Sequence, residues 1–302
     1  MQYIRGIINY FSVFLVTLLL GVFLLPCVYL KRWTSKKSAL HRHAAAGVLF
    51  ICATWIHCTR VILTNKHRLN CHVEGLPQDL DRKTSYGIIA NHQTWVDVFI
   101  LFYLFEGKIA FPRFFIKEKI MWFPILSAGF AALNFPVVKR YTHEQRQKQP
   151  GLSGIDLEMT KKACEIFRHE STSIVIFLEG TRFTAEKHAE QQSPYVHLLK
   201  PKAGGLAAML SVMGEHLDCL LDVTIVYEDK KRATFWQLLS QQHMNVSVLV
   251  KKRMITPDLI GDYQNDPALR AHFQQWLNAC WQEKDAFISK VNHDILAQKI
   301  TH

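Results

Sequence analysis

From Ile7 to Leu30 the chain reads IINYFSVFLVTLLLGVFLLPCVYL without one charged side chain. About 20 apolar residues suffice for a helix to cross the hydrocarbon core of a bilayer, so this run sets the architecture of everything after it. A cleaved secretory signal is the rival reading. The run is too long for a signal's apolar segment, and no small-x-small cleavage pattern precedes the basic residues that follow. A retained anchor over residues 1–66 is therefore expected, made of a transmembrane or re-entrant helix plus an interfacial helix. The second helix is read from Ala44–Ile56, which His57 and Arg60 interrupt and which is short for a span.

Lys31, Arg32, Lys36, Lys37 and Arg42 follow the run, against Arg5 alone before it. The bias of basic residues toward the cytoplasmic side then places the rest of the chain in the cytoplasm. The chain carries a formal charge of +11, which implies anionic partners: lipid headgroups, phosphorylated small molecules or nucleic acid. No zinc-finger, helix-turn-helix or aromatic-basic motif supports nucleic acid, and the anchor argues for an anionic membrane surface instead. Seven cysteines with no C-x-x-C pair fit reduced thiols better than a disulfide framework or a metal site.

Beyond the anchor, residues 67–302 read as one α/β domain with C-terminal helices. The expected strands are Ser85–Ala90, Phe111–Ile116, Phe135–Val138, Ser173–Leu178, Asp222–Tyr227 and Asn245–Val250, mostly short apolar runs bounded by polar or Gly/Pro residues. Between them Ile155, Met159, Ala163, Ile166 and Phe167 recur at helical spacing behind Ser153, a candidate N-cap. Gly204–Gly214 reads as a buried helix, and Pro267–Ala297 as one or two helices with Phe273, Trp276, Leu277 and Trp281 on one core-facing stripe. His143–Gly154 is a polar loop. Strands alternating with helices point to an α/β sandwich.

Two segments carry chemistry, and each follows an expected strand, where α/β folds place reactive groups. The first is Asn91-His-Gln-Thr-Trp-Val-Asp97. A spacing of five is off-face in an ideal helix, so His92 and Asp97 meet only if His92 stands on the turn before it. A carboxylate-held imidazole is a general base. The second is Glu179-Gly-Thr-Arg182, in which glycine permits close backbone approach and Thr181 and Arg182 supply donors suited to phosphate. Lys117, Lys119, Lys139 and Arg140 follow other strands. Lys200-Pro-Lys202-Ala-Gly-Gly205 opens a helix whose first amides suit an anion.

Taken in order, NHQTWVD, FIKEKIMWFP, FPVVKR, FLEGTRFT and LKPKAGG resemble the PlsC-like glycerolipid acyltransferase family, which contains the lysophosphatidic acid acyltransferases, and within it bacterial inner-membrane members. The likeness covers roughly residues 85–230. It implies a glycerolipid-acyltransferase-like α/β sandwich with His92 as base and Asp97 as its orienting carboxylate. It implies direct attack without an acyl-enzyme, and an acceptor phosphate held by Glu179, Gly180, Thr181, Arg182, Arg140, Lys117 and Lys202. The implied partners are a lysophospholipid acceptor, lysophosphatidic acid above others, and acyl-CoA or acyl-acyl carrier protein as donor, with no cofactor and no metal. A bacterial inner membrane is the implied location. Lys139 stands where the family usually has an acidic residue, and Leu178 where it often has proline; the lysine bears on headgroup preference.

Overall fold

The computed structural model describes residues 1–64, 69–117, 122, 124–138, 152–228 and 233–300. It opens with an antiparallel hairpin of two helices, α1 (Gln2–Trp33) and α2 (Ala39–Leu63). The Ser38 side chain caps α2 by accepting from the His41 N–H, and Gly47 lets the helices close, since a Cβ there would sit 3.1 Å from Cys27 Sγ. The Trp55 indole donates to Thr17 Oγ1 at 2.8 Å across the pair. Both helices are long and apolar enough to cross a membrane. The short second segment read from the sequence is thus corrected to a long helix. His57 and Arg60, which interrupt the apolar run, are accommodated because both pair with Glu106 at the end of α3 (Val96–Phe105).

Both ends of α1 rest on the α/β unit. Near the N-terminus the Asn9 amide donates to the Leu239 carbonyl at 2.7 Å, and Tyr3 lies beside Trp236 in α8 (Phe235–Leu239). Near the C-terminus the Lys31 ammonium donates to the Ala132 carbonyl at the end of α4 (Pro124–Ala132). Outward, α1 exposes an unbroken apolar surface that includes Ile7, Phe11, Phe14, Leu18, Val22 and Phe23.

The main sheet has six strands in the order β1-β8-β7-β2-β6-β3. They are β1 (Leu69–Glu74), β2 (Tyr86–Ala90), β3 (Pro112–Phe114), β6 (Ser173–Phe177), β7 (Cys219–Tyr227) and β8 (Met244–Arg253). All neighbours run parallel except β7 and β8. A separate two-stranded parallel ribbon joins β4 (Ile116–Lys117) to β5 (Val137–Val138). The expected run 111–116 is therefore divided between the sheet and the ribbon, and β1 is a strand the sequence reading did not find.

Alternation along β2 divides the core. Ile88 and Ala90 face α3 and the hairpin, among Val223, Ile225, Val96 and Ile100. Ile89 faces the other side, where α7 (Ala203–Met213) and α9 (Pro267–Ile300) bury Leu206, Met209, Phe273, Leu277 and Trp281. The C-terminal stripe is core as expected, on one continuous helix. α5 (Leu152–Glu165) begins ahead of Ser153, which is inside the helix and not its cap. Of the polar stretch His143–Gly154, residues 143–151 lie outside the described residues, and 152–154 are already helical.

Candidate active site

Register fixes where the chemistry sits. Ala90, the last residue of β2, pairs with Phe177 of β6 on one side and Val223 of β7 on the other. The carboxyl ends of β2 and β6 are therefore level, and β7 runs four residues past them. The next residue, Asn91, is fully buried and substitutes its side chain for the lost ladder. Its amide donates to the Ile225 carbonyl at 2.9 Å and its oxygen accepts from the Ile225 N–H at 2.8 Å. Pairing by side chain frees the main chain to turn, and His92 stands on that turn.

The turn brings His92 and Asp97 together, as the spacing requires. His92 Nδ1 lies 2.8 Å from Asp97 Oδ2. The same oxygen accepts from the Gln93 N–H at 2.6 Å and the Thr94 N–H at 2.9 Å. Asp97 is fully buried at the start of α3, where the helix's positive end favours a carboxylate. Its other oxygen accepts from the Tyr227 hydroxyl at 2.7 Å. With the Nδ1 proton donated to Asp97, the lone pair free to accept a proton is on Nε2. The imidazole stacks on Phe177, with centroids 4.0 Å apart and planes at 16°, and its side chain is 15% exposed. A partly exposed ring, held at Nδ1 and stacked on one face, has the geometry of a general base.

Glu179 to Arg182 join the same cluster but divide in direction. Glu179 is fully buried. Its Oε1 accepts from the His92 N–H at 2.8 Å and its Oε2 from the Leu199 N–H at 3.0 Å. Burial pushes this carboxyl up to about 8, with the two backbone bonds pulling against the shift. Gly180 has φ +71°, a conformation glycine adopts without strain, and so reverses the chain. Past it, the Phe183 N–H donates to the His92 carbonyl at 2.8 Å, tying the two motif turns directly. Arg182 is exposed with its guanidinium 5.3 Å from the Trp95 ring centroid, a cation–π arrangement. Thr181 Oγ1 accepts from Lys187 in α6 (Ala185–Gln191) at 2.7 Å, and the same ammonium donates to the Arg182 carbonyl at 3.1 Å.

The remaining expected cations are placed unequally. Lys202 is exposed at the N-terminus of α7 and donates its N–H to the Leu178 carbonyl at 2.8 Å, which sets it beside the Glu179 turn. Lys117 ends β4 on the small ribbon, where it pairs with Val138 of β5, just past β3. Arg140 and Lys139 lie outside the described residues.

The sequence reading passed over Asn91, Trp95, Phe177, Lys187 and Tyr227. Asn91 and Trp95 stood inside a noted motif, and Tyr227 closed an expected strand, so position was available as a signal and partner was not. The supports also reach the C-terminal helix: the Trp281 indole donates to the Leu199 carbonyl at 3.0 Å, behind the amide that Glu179 holds.

Residues 68–227 match the profile of the family described as Acyltransferase. Among curated proteins, the chain is 28% identical over 218 residues to "1-acyl-sn-glycerol-3-phosphate acyltransferase epsilon" of Mus musculus, covering 66% of this chain and 56% of the relative. It is 23% identical over 250 residues to "2-acyl-1-lysophosphatidylinositol acyltransferase" of Saccharomyces cerevisiae, covering 69% and 62%. The chain thus spans under two thirds of the length of either relative. Among solved structures it is similar to the 1-acyl-sn-glycerophosphate (LPA) acyltransferase PlsC of Thermotoga maritima, with a TM-score of 0.50 and 17% identity over 94% of this chain and 98% of that one. At that identity the likeness shows the fold.

Proposed function

This chain belongs to the acyltransferase family, and we propose that it moves a fatty acyl group from acyl-CoA or acyl-acyl carrier protein to the sn-2 hydroxyl of 1-acylglycerol 3-phosphate. The observation that carries the reading is the His92–Asp97 pair, with Nδ1 committed to a buried carboxylate and Nε2 left for the acceptor. Nε2 takes the hydroxyl proton as the oxygen attacks the thioester carbonyl. The tetrahedral intermediate collapses, the carbon–sulfur bond breaks, and the imidazolium returns the proton to the departing thiolate. No acyl-enzyme forms and no cofactor is consumed beyond the carrier. A positioned base of this kind contributes about 10² to 10⁴ in rate.

Arg182, with Thr181, Gly180 and Lys202 around it, supports a phosphate site beside the base. Arg182 is exposed, and a guanidinium fork matches phosphate geometry. Glu179 has both oxygens turned to backbone N–H groups, so its part is to hold the His92 turn. The hairpin supports a place at the membrane surface. From Asn9 to Lys31, α1 extends about 33 Å at 1.5 Å per residue, comparable to a hydrocarbon core of about 30 Å. Both of those residues bond to the α/β unit, which favours a hairpin lying along one leaflet, re-entrant or interfacial, over one that crosses. The membrane in this reading is the inner membrane of a bacterium, with the α/β domain on its cytoplasmic side.

A second acceptor is favoured by a specific observation: one relative is named for lysophosphatidylinositol. Purified protein in liposomes, supplied with labelled oleoyl-CoA or acyl carrier protein thioester and a panel of lysophospholipids, separates the cases. Transfer to lysophosphatidic acid that disappears in His92→Ala supports the reading, and transfer restricted to another lysolipid replaces the substrate. Folded protein that binds lysolipid without turnover on any acceptor would sink the enzymatic reading in favour of a lipid-binding role.

A further inference from the structure

We infer that Tyr227 is a positioning residue of the acyl-transfer site, holding Asp97 through its hydroxyl so that His92 keeps the tautomer and orientation of a base. The inference rests on the reading of His92 as that base. Its geometry is independent of the motifs: Tyr227 closes β7, and the four-residue overrun of β7 past β2 lifts its ring to the level of the His92 turn. The side chain is buried and its hydroxyl lies 2.7 Å from Asp97 Oδ1. Packing alone would be served by phenylalanine. A phenol hydroxyl placed where water cannot reach needs a partner, and the partner here is the carboxylate behind His92.

The hydroxyl completes a cage. Asp97 Oδ2 takes three donors, from His92, Gln93 and Thr94, all from its own turn. Oδ1 takes the hydroxyl of Tyr227, which arrives from another strand. Without it the carboxylate is held through Oδ2 alone, and the plane that directs the imidazole hydrogen bond is less tightly fixed. The charged or titratable groups that act on this cage are Glu179 on the loop after β6, against Asp97, and Cys71 on β1, against Tyr227; Lys284 on α9 acts on Glu179 from behind. Burial and the Asp97 charge keep the phenol well above its usual value, so it stays a donor throughout the working range of an imidazole base.

Tyr227→Phe removes the donor and keeps the ring. A hydrogen bond to a charged group, lost in part from the transition state, corresponds to a kcat about 10-fold or more lower, with acceptor KM within about twofold. A donor withdrawn from Asp97 also concentrates its charge, so His92 holds its proton to higher pH. The acid limb of the kcat profile, and the His92 titration followed by NMR of isotope-labelled histidine with His92→Ala as the assignment reference, both move upward. Placing 3-fluorotyrosine at position 227 strengthens the donor and moves both downward. A structural filler predicts neither shift. Folded Tyr227→Phe with wild-type kcat and an unmoved titration would overturn the assignment. If that variant fails to fold, an unmoved titration in the fluorinated protein does the same. Failure of the acyl-transfer reading is a separate result, seen as His92→Ala retaining wild-type turnover, while the titrations still decide for Tyr227.

Discussion

Glu179→Gln is the substitution on which the ligand and scaffold roles of the second motif separate. The carboxylate presents an oxygen to each of two buried donors, the His92 N–H at 2.8 Å and the Leu199 N–H at 3.0 Å. Each oxygen keeps a lone pair toward its donor whether or not the acid is protonated. Glutamine keeps one acceptor and places an amide nitrogen against the other N–H, donor facing donor, in a site with no exposure. One lost bond plus one buried unsatisfied group amounts to about 2–4 kcal/mol, a fall of roughly 5–10 °C in Tm for a chain of this size. The displaced group is the backbone of the proposed base, and a shift approaching 1 Å there would lower kcat by about 100-fold. Thermal unfolding and steady-state kinetics on the same preparation measure both. A variant with wild-type Tm and kcat but a raised acceptor KM would refute the argument, because it would mean that Glu179 contacts the acceptor.

Four further expectations follow from the same geometry. Because burial raises the Glu179 carboxyl from 4.5 to about 8, folding takes up a proton between those values. Its stabilising share is full at low pH and is lost as pH rises through about 8; Glu179→Gln flattens that part of the Tm–pH curve, and a parallel curve would contradict the shift. Arg182→Ala raises acceptor KM by about 10-fold or more with a smaller change in kcat, and an unchanged KM moves the phosphate site elsewhere. Trp95→Leu, which removes the ring beside that guanidinium, raises KM about two- to fivefold, and no change would leave Arg182 positioned without it. Lys284 is buried against Asp222 and donates to the Val223 carbonyl at 2.7 Å. Lys284→Met strands the carboxylate with Arg253 as its remaining cation, destabilising by about 3 kcal/mol; an unchanged denaturation midpoint would show that Arg253 compensates fully.

How much was legible depended on whether an element's reason lay within it. The strands around SYGIIA and SIVIFL were readable because both faces are buried, so an apolar run is their whole signature. LNCHVE was not, since β1 at the sheet edge buries only Leu69 and then alternates exposed with half-buried residues, a pattern too short to stand out. The second anchor helix was read short because His57 and Arg60 look like a boundary. Their shared partner, Glu106, comes from another helix some fifty residues on.

The site divides along the same line. His92 and Asp97 could be paired from sequence because their contact closes within one turn, and the strand before them says where that turn is. Glu179 looked like an exposed partner for phosphate because glutamate in a Gly-Thr-Arg turn ordinarily faces water. Its inward direction follows from two backbone N–H groups, at His92 and Leu199, that no local pattern announces. Tyr227 is more extreme: every property of its strand accounts for it as core, and only the register of β7 against β2 reveals that its hydroxyl reaches Asp97. The residues that bear chemistry are thus local in sequence, whereas those that hold them in place are distant. Replacing His92 or Asp97 tests the reaction. Replacing Glu179 or Tyr227 tests whether the sheet's register, more than the motifs, sets the precision of the base.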